Sequence, residues 1–361
     1  MLKLYNNPAL EPVEAVAASL EIVDPLQAIP GPQGDLLRAA AAGHAEGIVQ
    51  ALEKGADINA VSPEKGALSV AAYYGRREIV NLLLERGAGI DNPDEKDGMT
   101  PLLAAIIGRE PEIAKLFVEK GANINRKINA GGGVGVTPLM FAVSLGHLDL
   151  VRAILDAGAE LEARTELGES ALVLAADNGW ADGAAMLLER GADVNSRMSN
   201  GWTALMRAAD KGHSEIVGIL LENKADANLK ATADGRTALS VASRFGRADI
   251  VKMLIENGAD INAQTTDLGY TILYIAVLRN LPEIAKILIE AGANINLKEN
   301  DGQTALMKAS EEGQAEIVKL LIEKGADVNA KNDKGQTALK FAKKKKNAEI
   351  VRMLQAAGAK G

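Results

Sequence analysis

A short signal, Gly-Ala-Asp-x-Asn, recurs along this chain of 361 residues at almost fixed intervals. Full copies begin at Gly55, Gly191, Gly258 and Gly325, and weaker copies begin at Gly87, Gly121, Gly158, Lys224, Gly292 and Gly358. Successive copies are 32 to 37 residues apart. A period of about 33 residues indicates stacked units that each pack on their neighbours, rather than one compact core. The chain is therefore predicted to be a solenoid, whose extended surface suits the binding of a partner.

The composition fits a core of small apolar side chains. Apolar residues make up 47% of the chain and aromatic residues only 3%, so Ala, Leu, Ile and Val must fill the core. The formal net charge of −8 argues against nonspecific binding to nucleic acid, which depends on neutralising phosphates. The charge is uneven, because residues 301–361 hold 12 Lys/Arg and 8 Asp/Glu.

Several classes of chemistry and of location are disfavoured. The chain has no Cys, which excludes disulfides, thiolate catalysis and Cys-ligated zinc. Met1 to Pro12 lack the basic and apolar regions of a signal peptide, and no apolar run approaches the roughly 18 residues of a membrane span. We therefore expect no membrane partner, and a cytoplasmic location is the default expectation.

One unit, residues 200–230, illustrates the pattern. Asn200-Gly201 is typical of a turn, and the Thr203 hydroxyl can cap the helix that follows. Gly212 is expected to end this helix in a left-handed conformation. The apolar residues from Ile216 to Leu221 then predict a second helix.

The same pattern recurs along the chain. The cap position holds Thr100, Thr137, Ser170, Thr203, Thr237, Thr271, Thr304 and Thr337. The inter-helix glycine recurs as Gly43, Gly75, Gly146, Gly179, Gly212, Gly246 and Gly313, and Asn280 replaces it once. Pro101 and Pro138 stand at the first helical position, where the missing N–H has no intrahelical partner to lose.

The turn, the Thr-Pro/Ala-Leu helix, the Glu-Ile-Val-x-x-Leu-Leu helix and the Gly-Ala-Asp-Val-Asn loop together resemble the ankyrin repeat. The resemblance covers residues 34–361, about ten repeats, and the unadorned array looks prokaryotic. It implies an all-α solenoid of helix-turn-helix units with short β-hairpin turns, curved around a concave groove. One departure is consistent, because the family often has His after Thr-Pro-Leu. That position here holds Leu103, Met140, Val173, Met206, Ser240, Tyr274, Met307 and Lys340.

The pattern breaks in several places. Residues 1–33 lie outside the repeat and form either an N-terminal cap or a segment that docks on a partner or on a second copy. Gly34 and Gly66 stand where Thr is expected, so the first two repeats should lack a side-chain cap. Residues 129–135 are rich in glycine and predict a hairpin lengthened by about three residues. No P-loop motif accompanies them, so we do not interpret them as a nucleotide-binding loop. The lysines at 343–346 form either a solvated end face or a contact for an acidic partner or nucleic acid.

Nothing in the chain predicts an enzyme, a cofactor site or a metal site. The three histidines, His44, His147 and His213, all follow the inter-helix glycine in different repeats, so they cannot converge on one metal or nucleophile. Acidic residues are abundant, but a catalytic pair needs a water-excluding pocket that separates its pKa values.

The resemblance also implies which positions face the groove. The position after the turn glycine holds Trp202, Arg236 and Tyr270, and the end of the first helix holds Lys211, Phe245 and Arg279, preceded by Arg244 and Leu278. Leu268 joins them from a turn, and Tyr73 and Tyr74 form a smaller second site. Trp, Tyr and Arg are enriched in interface hot spots, although these side chains could also pack only on neighbouring turns.

Three functions remain open from the sequence. The leading hypothesis is a non-catalytic interaction scaffold or adaptor that binds a protein partner through its concave groove. The alternative is a structural subunit of a homo-oligomeric or larger assembly that uses residues 1–33. Binding to nucleic acid through Arg236, Arg244, Arg279 and the lysines is a third hypothesis, which the overall charge disfavours.

Overall fold

The repeats form paired helices throughout the part of the chain that the computed structural model describes, residues 29–62, 65–94, 98–130 and 133–360. Each of ten repeats contributes a first and a second helix, numbered here in chain order. The first helices are α1 Gly31–Ala42, α3 Ala67–Tyr73, α5 Pro101–Ile107, α7 Pro138–Ser144, α9 Ala171–Asn178, α11 Ala204–Lys211, α13 Ala238–Arg244, α15 Ile272–Leu278, α17 Ala305–Glu312 and α19 Ala338–Lys344. The second helices are α2 Ala45–Glu53, α4 Arg77–Glu85, α6 Pro111–Glu119, α8 Leu148–Asp156, α10 Ala181–Glu189, α12 Ser214–Glu222, α14 Ala248–Glu256, α16 Pro282–Glu290, α18 Ala315–Glu323 and α20 Ala348–Ala356.

Two short antiparallel sheets lie in the loops. Strands β1 Val61–Ser62 and β2 Lys65–Gly66 pair before α3, and β3 Ile128–Ala130 and β4 Gly133–Val136 pair before α7. The β3–β4 hairpin contains the predicted glycine-rich insertion at 129–135, whose residues 131–132 are outside the described part. The Cβ position of Gly135 is 3.4 Å from the carbonyl oxygen of Arg164, so the base of this hairpin packs on the next turn.

The predicted helix starts are confirmed. All eight Thr or Ser residues are N-caps whose side-chain oxygen accepts the main-chain N–H three residues later, at 3.1 to 3.4 Å. Such a bond satisfies one of the N–H groups that a helix start leaves without an intrahelical partner. Gly66 is also an N-cap, and it has no side-chain bond.

The first helix lacks a side-chain cap, as predicted, but Gly34 is not its cap position. Helix α1 begins at Gly31, three residues earlier, with Pro30 as its N-cap and Pro32 in the first turn. Gly34 is therefore a helix residue, and it lies so close to the carbonyl of Ile29 that a side chain would collide with it. Arg38 donates to the same carbonyl at 2.9 Å, which holds residue 29 against the helix.

The predicted left-handed conformation between the two helices of a repeat is confirmed, and two further residues adopt it. Every predicted inter-helix glycine has a positive φ, and so does Asn280, at 54°. The sequence analysis missed Arg109 and Lys346, which take this conformation at 61° and 57°. In the third repeat the glycine stands one position early, because the backbone of Tyr73 passes too close to Gly108 for any side chain. Arg109 therefore takes the left-handed conformation that glycine adopts elsewhere.

The recurrent Asn of the opening signal links consecutive repeats. Its side-chain oxygen accepts the main-chain N–H at the Asp position of the next repeat, as in Asp260 to Asn228, at 2.7 Å. The same bond, at 2.7 to 2.9 Å, joins Gly89 to Asn59, Asn123 to Asp91, Glu160 to Asn125, Asp193 to Glu162, Asp226 to Asn195, Asn294 to Asn262, Asp327 to Asn296 and Lys360 to Asn329. The signal is therefore conserved within the chain because it binds one repeat to the next.

The chain divides into two compact units, Met1–Asp193 and Val194–Gly361. In the N-terminal unit the first helices α1, α3, α5, α7 and α9 pack in sequence, and in the C-terminal unit α11, α13, α15, α17 and α19 do the same. Each first helix also packs on the second helix of its own repeat. Small side chains allow this close stacking, and Ala71, Ala104, Ala142, Ala208 and Ala276 are fully buried.

Candidate protein-interaction surface

The turn that precedes α11 places Trp202 against an arginine. Trp202 is half-buried, and its main-chain N–H donates to Asn200 Oδ1 at 3.0 Å. The guanidinium carbon of Arg207 lies 5.5 Å from the centre of the indole ring, which is cation–π geometry. Arg207 is itself buried, so it supports the indole ring from beneath instead of offering its charge to solvent.

The next predicted groove residue, Arg236, is already paired. Its Nε lies 3.1 Å from Asp234 Oδ2, and the two side chains are only 15% and 7% exposed. Asp234 Oδ1 also accepts the Arg236 main-chain N–H at 3.2 Å. Arg236 therefore contributes mainly to the geometry of its turn, and its role in binding a partner remains a prediction.

Tyr270 stacks on Tyr274 in an acidic environment. The two ring centres are 4.8 Å apart, and Tyr270 is half-buried while Tyr274 is buried. Burial raises the pKa of Tyr270, and Asp301 and Glu299 raise it further. Tyr274, which stands where the family often has His, is therefore the buried ring against which Tyr270 packs.

A buried carboxyl group, Glu299, lies beside this tyrosine pair. Glu299 accepts the main-chain N–H of Thr271 at 3.0 Å and the Thr271 hydroxyl at 3.1 Å. Burial raises the pKa of Glu299 to about 8, although the hydrogen bonds from Thr271 oppose this effect. Glu299 therefore holds the start of α15 in place and carries a proton over much of the neutral range.

Large apolar side chains are exposed on the seventh and eighth repeats. Phe245, the C-cap of α13, is 49% exposed, and Leu278, the last residue of α15, is 41% exposed. Leu268, in the turn before α15, is 50% exposed. We call these three residues the apolar patch. Among the described residues, the only other large hydrophobic side chain exposed to this degree is Leu167.

Basic side chains accompany the apolar patch. Lys211 and Arg279 are exposed at the ends of α11 and α15, and the guanidinium carbon of Arg244 lies 5.7 Å from the ring centre of Phe245. In the ninth repeat the corresponding helix end is acidic, with Glu311 and Glu312.

The acidic end of α17 is partly neutralised by a lysine. Lys308 Nζ lies 3.1 Å from a carboxylate oxygen of Glu311 and 2.6 Å from one of Glu312. Burial opposes the charge of Lys308, but the hydrogen bonds to Glu312 and Glu311 leave its pKa raised. The hydrogen bond from Lys308 is the main reason why the pKa of Glu312 is lowered.

The second predicted site lies in the N-terminal unit. Tyr73 and Tyr74 are half-buried at the end of α3, with ring centres 5.2 Å apart in an edge-to-face arrangement. Ile107, at the corresponding end of α5, is buried, and Leu145 at the end of α7 is half-buried. The two tyrosine rings contact each other, and their contribution to binding remains a prediction.

The histidines occupy N-cap positions of second helices. His44, His147 and His213 precede α2, α8 and α12. Burial lowers the pKa of His147, and the charge of Arg109 lowers it further, so this imidazole is neutral at pH 7. Within the described ranges, no group of three or more His, Cys, Asp or Glu side chains could hold a metal ion. No helix there combines the length and the apolar character that crossing a bilayer demands.

The sequence analysis missed two charged residues that shape this surface, Arg207 and Lys308. Both stand four positions after the cap residue, where Phe141, Leu174 and Ile275 are buried. A charged residue at an otherwise apolar position was the signal that could have revealed them. Glu299 is a third residue that was missed, but its position, 28 residues after a cap, also holds Asp94, Thr165 and Asn332 in other repeats, so the sequence pattern gave no signal for it.

Comparisons with known proteins agree with this architecture. The family model for ankyrin repeats matches residues 36–128, 126–198, 196–265, 226–299 and 273–360. The crystal structure of the ankyrin repeat domain of Bcl-3, a member of the IkappaB protein family, is similar with a TM-score of 0.57 and 29% sequence identity. The match covers 61% of this chain and 99% of the Bcl-3 domain. A search among curated proteins finds no match.

The chain belongs to the ankyrin repeat family. Its fold is the all-α solenoid that the sequence predicted, and the family assignment is confirmed. Ankyrin repeats are generally protein–protein interaction modules and are typically non-catalytic.

Proposed function

We propose that this protein is a non-catalytic scaffold or adaptor that binds a protein partner through the predicted groove positions of repeats six to eight. The observation that carries the proposal is the apolar patch, because three of the four exposed large hydrophobic side chains of the described residues lie on repeats seven and eight. Clustered apolar side chains exposed on a soluble protein mark interaction sites. Trp202 and Tyr270, half-buried on Arg207 and Tyr274, supply aromatic surface on the same repeats or the one before.

The proposal is tested by capturing the partner from cells that express the protein. Wild type is compared with Phe245→Ser/Leu278→Ser and with the control Leu167→Ser, which removes an equally exposed side chain from the N-terminal unit. We expect the patch variant to lose the captured protein and the control to retain it. Trp202→Ala and Tyr270→Ala should each weaken binding by about 2 kcal/mol. Equal capture by wild type and all of these variants would contradict the proposal.

The alternative function is a subunit of a larger assembly, and a measurement of the protein's mass in solution distinguishes it from the adaptor function. Residues 1–28, which include most of the segment considered for self-association, lie outside the described residues. Deleting residues 1–28, which leaves the N-cap Pro30 and the whole of α1 intact, and measuring the mass of the protein decides between the two functions. A chain that stays monomeric and still captures the partner supports the adaptor function, while loss of an assembly supports the alternative.

A further inference from the structure

The ends of three first helices place cations beside exposed apolar side chains. We call these ends the helix-end strip, and its members are Asp210, Lys211, Arg244, Phe245, Leu278 and Arg279. Lys211 and Arg279 are exposed, Arg244 lies over the ring of Phe245, and Phe245 and Leu278 are 49% and 41% exposed. The strip thus combines apolar surface with three positive charges and one negative charge.

The three helix ends are stacked in register. A Cβ at Gly212, after α11, would lie 2.8 Å from the guanidinium of Arg247 in the next repeat, and Arg247 Nη2 is 3.4 Å from the Lys211 carbonyl oxygen. A Cβ at Gly246 would likewise lie 3.3 Å from Leu281 of the eighth repeat. Since packed helices are about 10 Å apart, the strip is roughly 20 Å long.

Helix geometry explains only part of this strip. A cation at the C-terminal end of a helix is favoured by the helix dipole, which accounts for Lys211 and Arg244 individually. The dipole does not account for large apolar side chains left in solvent beside these cations. The ninth repeat reverses the charge at the same position, with Glu311 and Glu312, and the tenth repeat has exposed Lys344 and Lys345 there without an exposed large apolar side chain. The combination of cations and exposed apolar side chains is therefore found on repeats six to eight of the described C-terminal unit.

We propose that the helix-end strip binds an acidic, apolar peptide segment of the protein partner. Leu, Ile or Phe of the segment would cover Phe245 and Leu278, while its carboxylates pair with the exposed cations of Lys211 and Arg279. Guanidinium and carboxylate groups form strong charge-assisted hydrogen bonds, and complementary charge favours the right partner. This inference rests on the proposed function and names the chemistry of its partner.

Nucleic acid fits the strip less well. Phosphates would use the cations but would gain little from the exposed side chains of Phe245 and Leu278. An acidic peptide gains from both the charged and the apolar members of the strip.

The test uses the full chain and a displayed library of random peptides. Peptides of about sixteen residues are long enough to span the strip even as a helix. They are selected on wild type at physiological salt. We expect the enriched sequences to combine Asp and Glu with Leu, Ile or Phe.

Three double variants then identify the binding surface. Lys211→Glu/Arg279→Glu reverses two charges of the strip, and Lys252→Glu/Lys286→Glu makes the same change at exposed positions of the second helices α14 and α16. Phe245→Ser/Leu278→Ser removes the apolar side chains. We expect the selected peptides to bind the first and third variants at least about tenfold more weakly, and the second within about twofold of wild type. If the first variant melts early, Lys211→Gln/Arg279→Gln replaces it, with a smaller expected loss.

The possible outcomes are distinct. Enrichment of basic or uncharged peptides, or equal losses from the two charge reversals, would overturn the acidic assignment, while dependence on Phe245 and Leu278 would still support the proposed function. No enrichment, or peptides that ignore all three variants, would overturn both. Binding of random-sequence duplex DNA at physiological salt, lost in Lys211→Glu/Arg279→Glu, would assign the strip to nucleic acid. A dimer that the same variant dissociates would make a second copy the occupant and would also overturn the proposal.

Discussion

The two units of this protein share their backbone rules but differ at one buried position of the first helices. Four residues after the cap, repeats two to five of the N-terminal unit have Val70, Ala104, Phe141 and Leu174, all buried and apolar. The first repeat, counted from Gly34, has the half-buried Arg38, which is held by Asp35 and by the Ile29 carbonyl. The C-terminal unit has Arg207, Val241, Ile275, Lys308 and Phe341 at the same position. Arg207 is accommodated under Trp202, and Lys308 is accommodated by Glu311 and Glu312. The repeat therefore fixes the caps and the left-handed residues. It allows a charged side chain four residues after the cap where a neighbouring ring or carboxylate interacts with that charge.

The units also differ in charge and in exposed apolar surface. Residues 1–193 hold 16 Lys/Arg and 28 Asp/Glu, whereas residues 194–361 hold 24 and 20. Leu167 is the single large hydrophobic residue found exposed in the described N-terminal unit, against Phe245, Leu268 and Leu278 in the C-terminal unit. Most of the exposed apolar and basic residues that could bind a partner therefore lie in the C-terminal unit.

The largest expected effect tests the buried position itself. Phe141 is fully buried, so Phe141→Ala should destabilise the N-terminal unit by about 3–5 kcal/mol through lost burial and a cavity. Arg207→Ala, at the same position of the C-terminal unit, should cost less, on the order of 1–2 kcal/mol, because it removes polar contacts and the cation–π contact with Trp202 but also relieves the burial of a charge. Chemical denaturation measures both changes.

The tryptophans allow the two units to be followed separately. Trp180 lies in the N-terminal unit and Trp202 in the C-terminal unit, so Trp202→Phe and Trp180→Phe backgrounds each leave one fluorescent reporter. Phe141→Ala should shift the transition reported by Trp180. A loss for Arg207→Ala as large as that for Phe141→Ala would contradict the distinction between apolar and compensated charged positions.

A second contrast concerns buried carboxyl groups 28 residues after a cap position. In the N-terminal unit Asp94 accepts the Gly66 N–H at 2.9 Å and lies 3.4 Å from Lys65 Nζ. In the C-terminal unit Glu299 accepts two bonds from the neutral groups of Thr271, and burial raises its pKa from 4.5 to about 8. The folded state therefore keeps a proton that the unfolded state loses, and stability contributed by Glu299 falls as pH rises from about 4.5 to 8.

We expect Glu299→Gln to remove this pH dependence. The amide stays neutral, so the variant should be more stable than wild type at pH 9, by on the order of 2 kcal/mol, and nearly equal to it at pH 4. Thermal melting of both proteins across this range measures the difference. Glu312→Gln is the control of opposite sign, because the lowered pKa of Glu312 makes its contribution present at neutral pH and lost on acidification. A difference between wild type and Glu299→Gln that does not grow with pH would contradict the assignment.

The sequence predicted the features that recur from repeat to repeat, and it missed the residues whose structure depends on contacts with side chains or neighbouring repeats. Thr caps and left-handed glycines are local, so their positions follow from a few adjacent residues. Arg109 was missed because the glycine of its repeat stands one position earlier, at Gly108, where the approach of Tyr73, a contact between repeats, leaves no room for a side chain. Arg236 was predicted at the right position, but its pairing with Asp234 depends on side-chain geometry that spacing does not determine. Among the groove residues, exposure therefore separates Phe245, Leu268 and Leu278 from Arg236.

The Asn links between repeats provide a smaller test. The C-terminal unit uses Asn at every such position, while the N-terminal unit uses Asp91 and Glu162 at two of them. Asn228→Ala removes the bond to the Asp260 N–H at 2.7 Å and the bond to the Gly258 carbonyl at 3.0 Å, and should cost about 1 kcal/mol. Asp91→Ala should cost at least as much, because a carboxylate is the stronger acceptor. Hydrogen exchange at Asp260 and Asn123 reports each link, and unchanged protection at either amide would contradict its role.

The smallest expected effect concerns Lys224, which stands where the other nine repeats have glycine in the loop signal. Its φ is 67°, a left-handed conformation that costs a non-glycine residue roughly 1 kcal/mol. At the same position of the fifth repeat, Gly191 has open space around its Cβ position, so the cost there is conformational and not steric. Lys224→Gly should therefore be neutral or slightly stabilising, since relief of strain is partly offset by a more flexible unfolded chain. Gly191→Lys should lower the stability of the N-terminal unit by about 1 kcal/mol. Thermal melting of the two variants then compares the effect of glycine and lysine at the same repeat position in the two units. A clear fall in melting temperature for Lys224→Gly would mean that the lysine side chain makes a stabilising contact that outweighs its backbone strain.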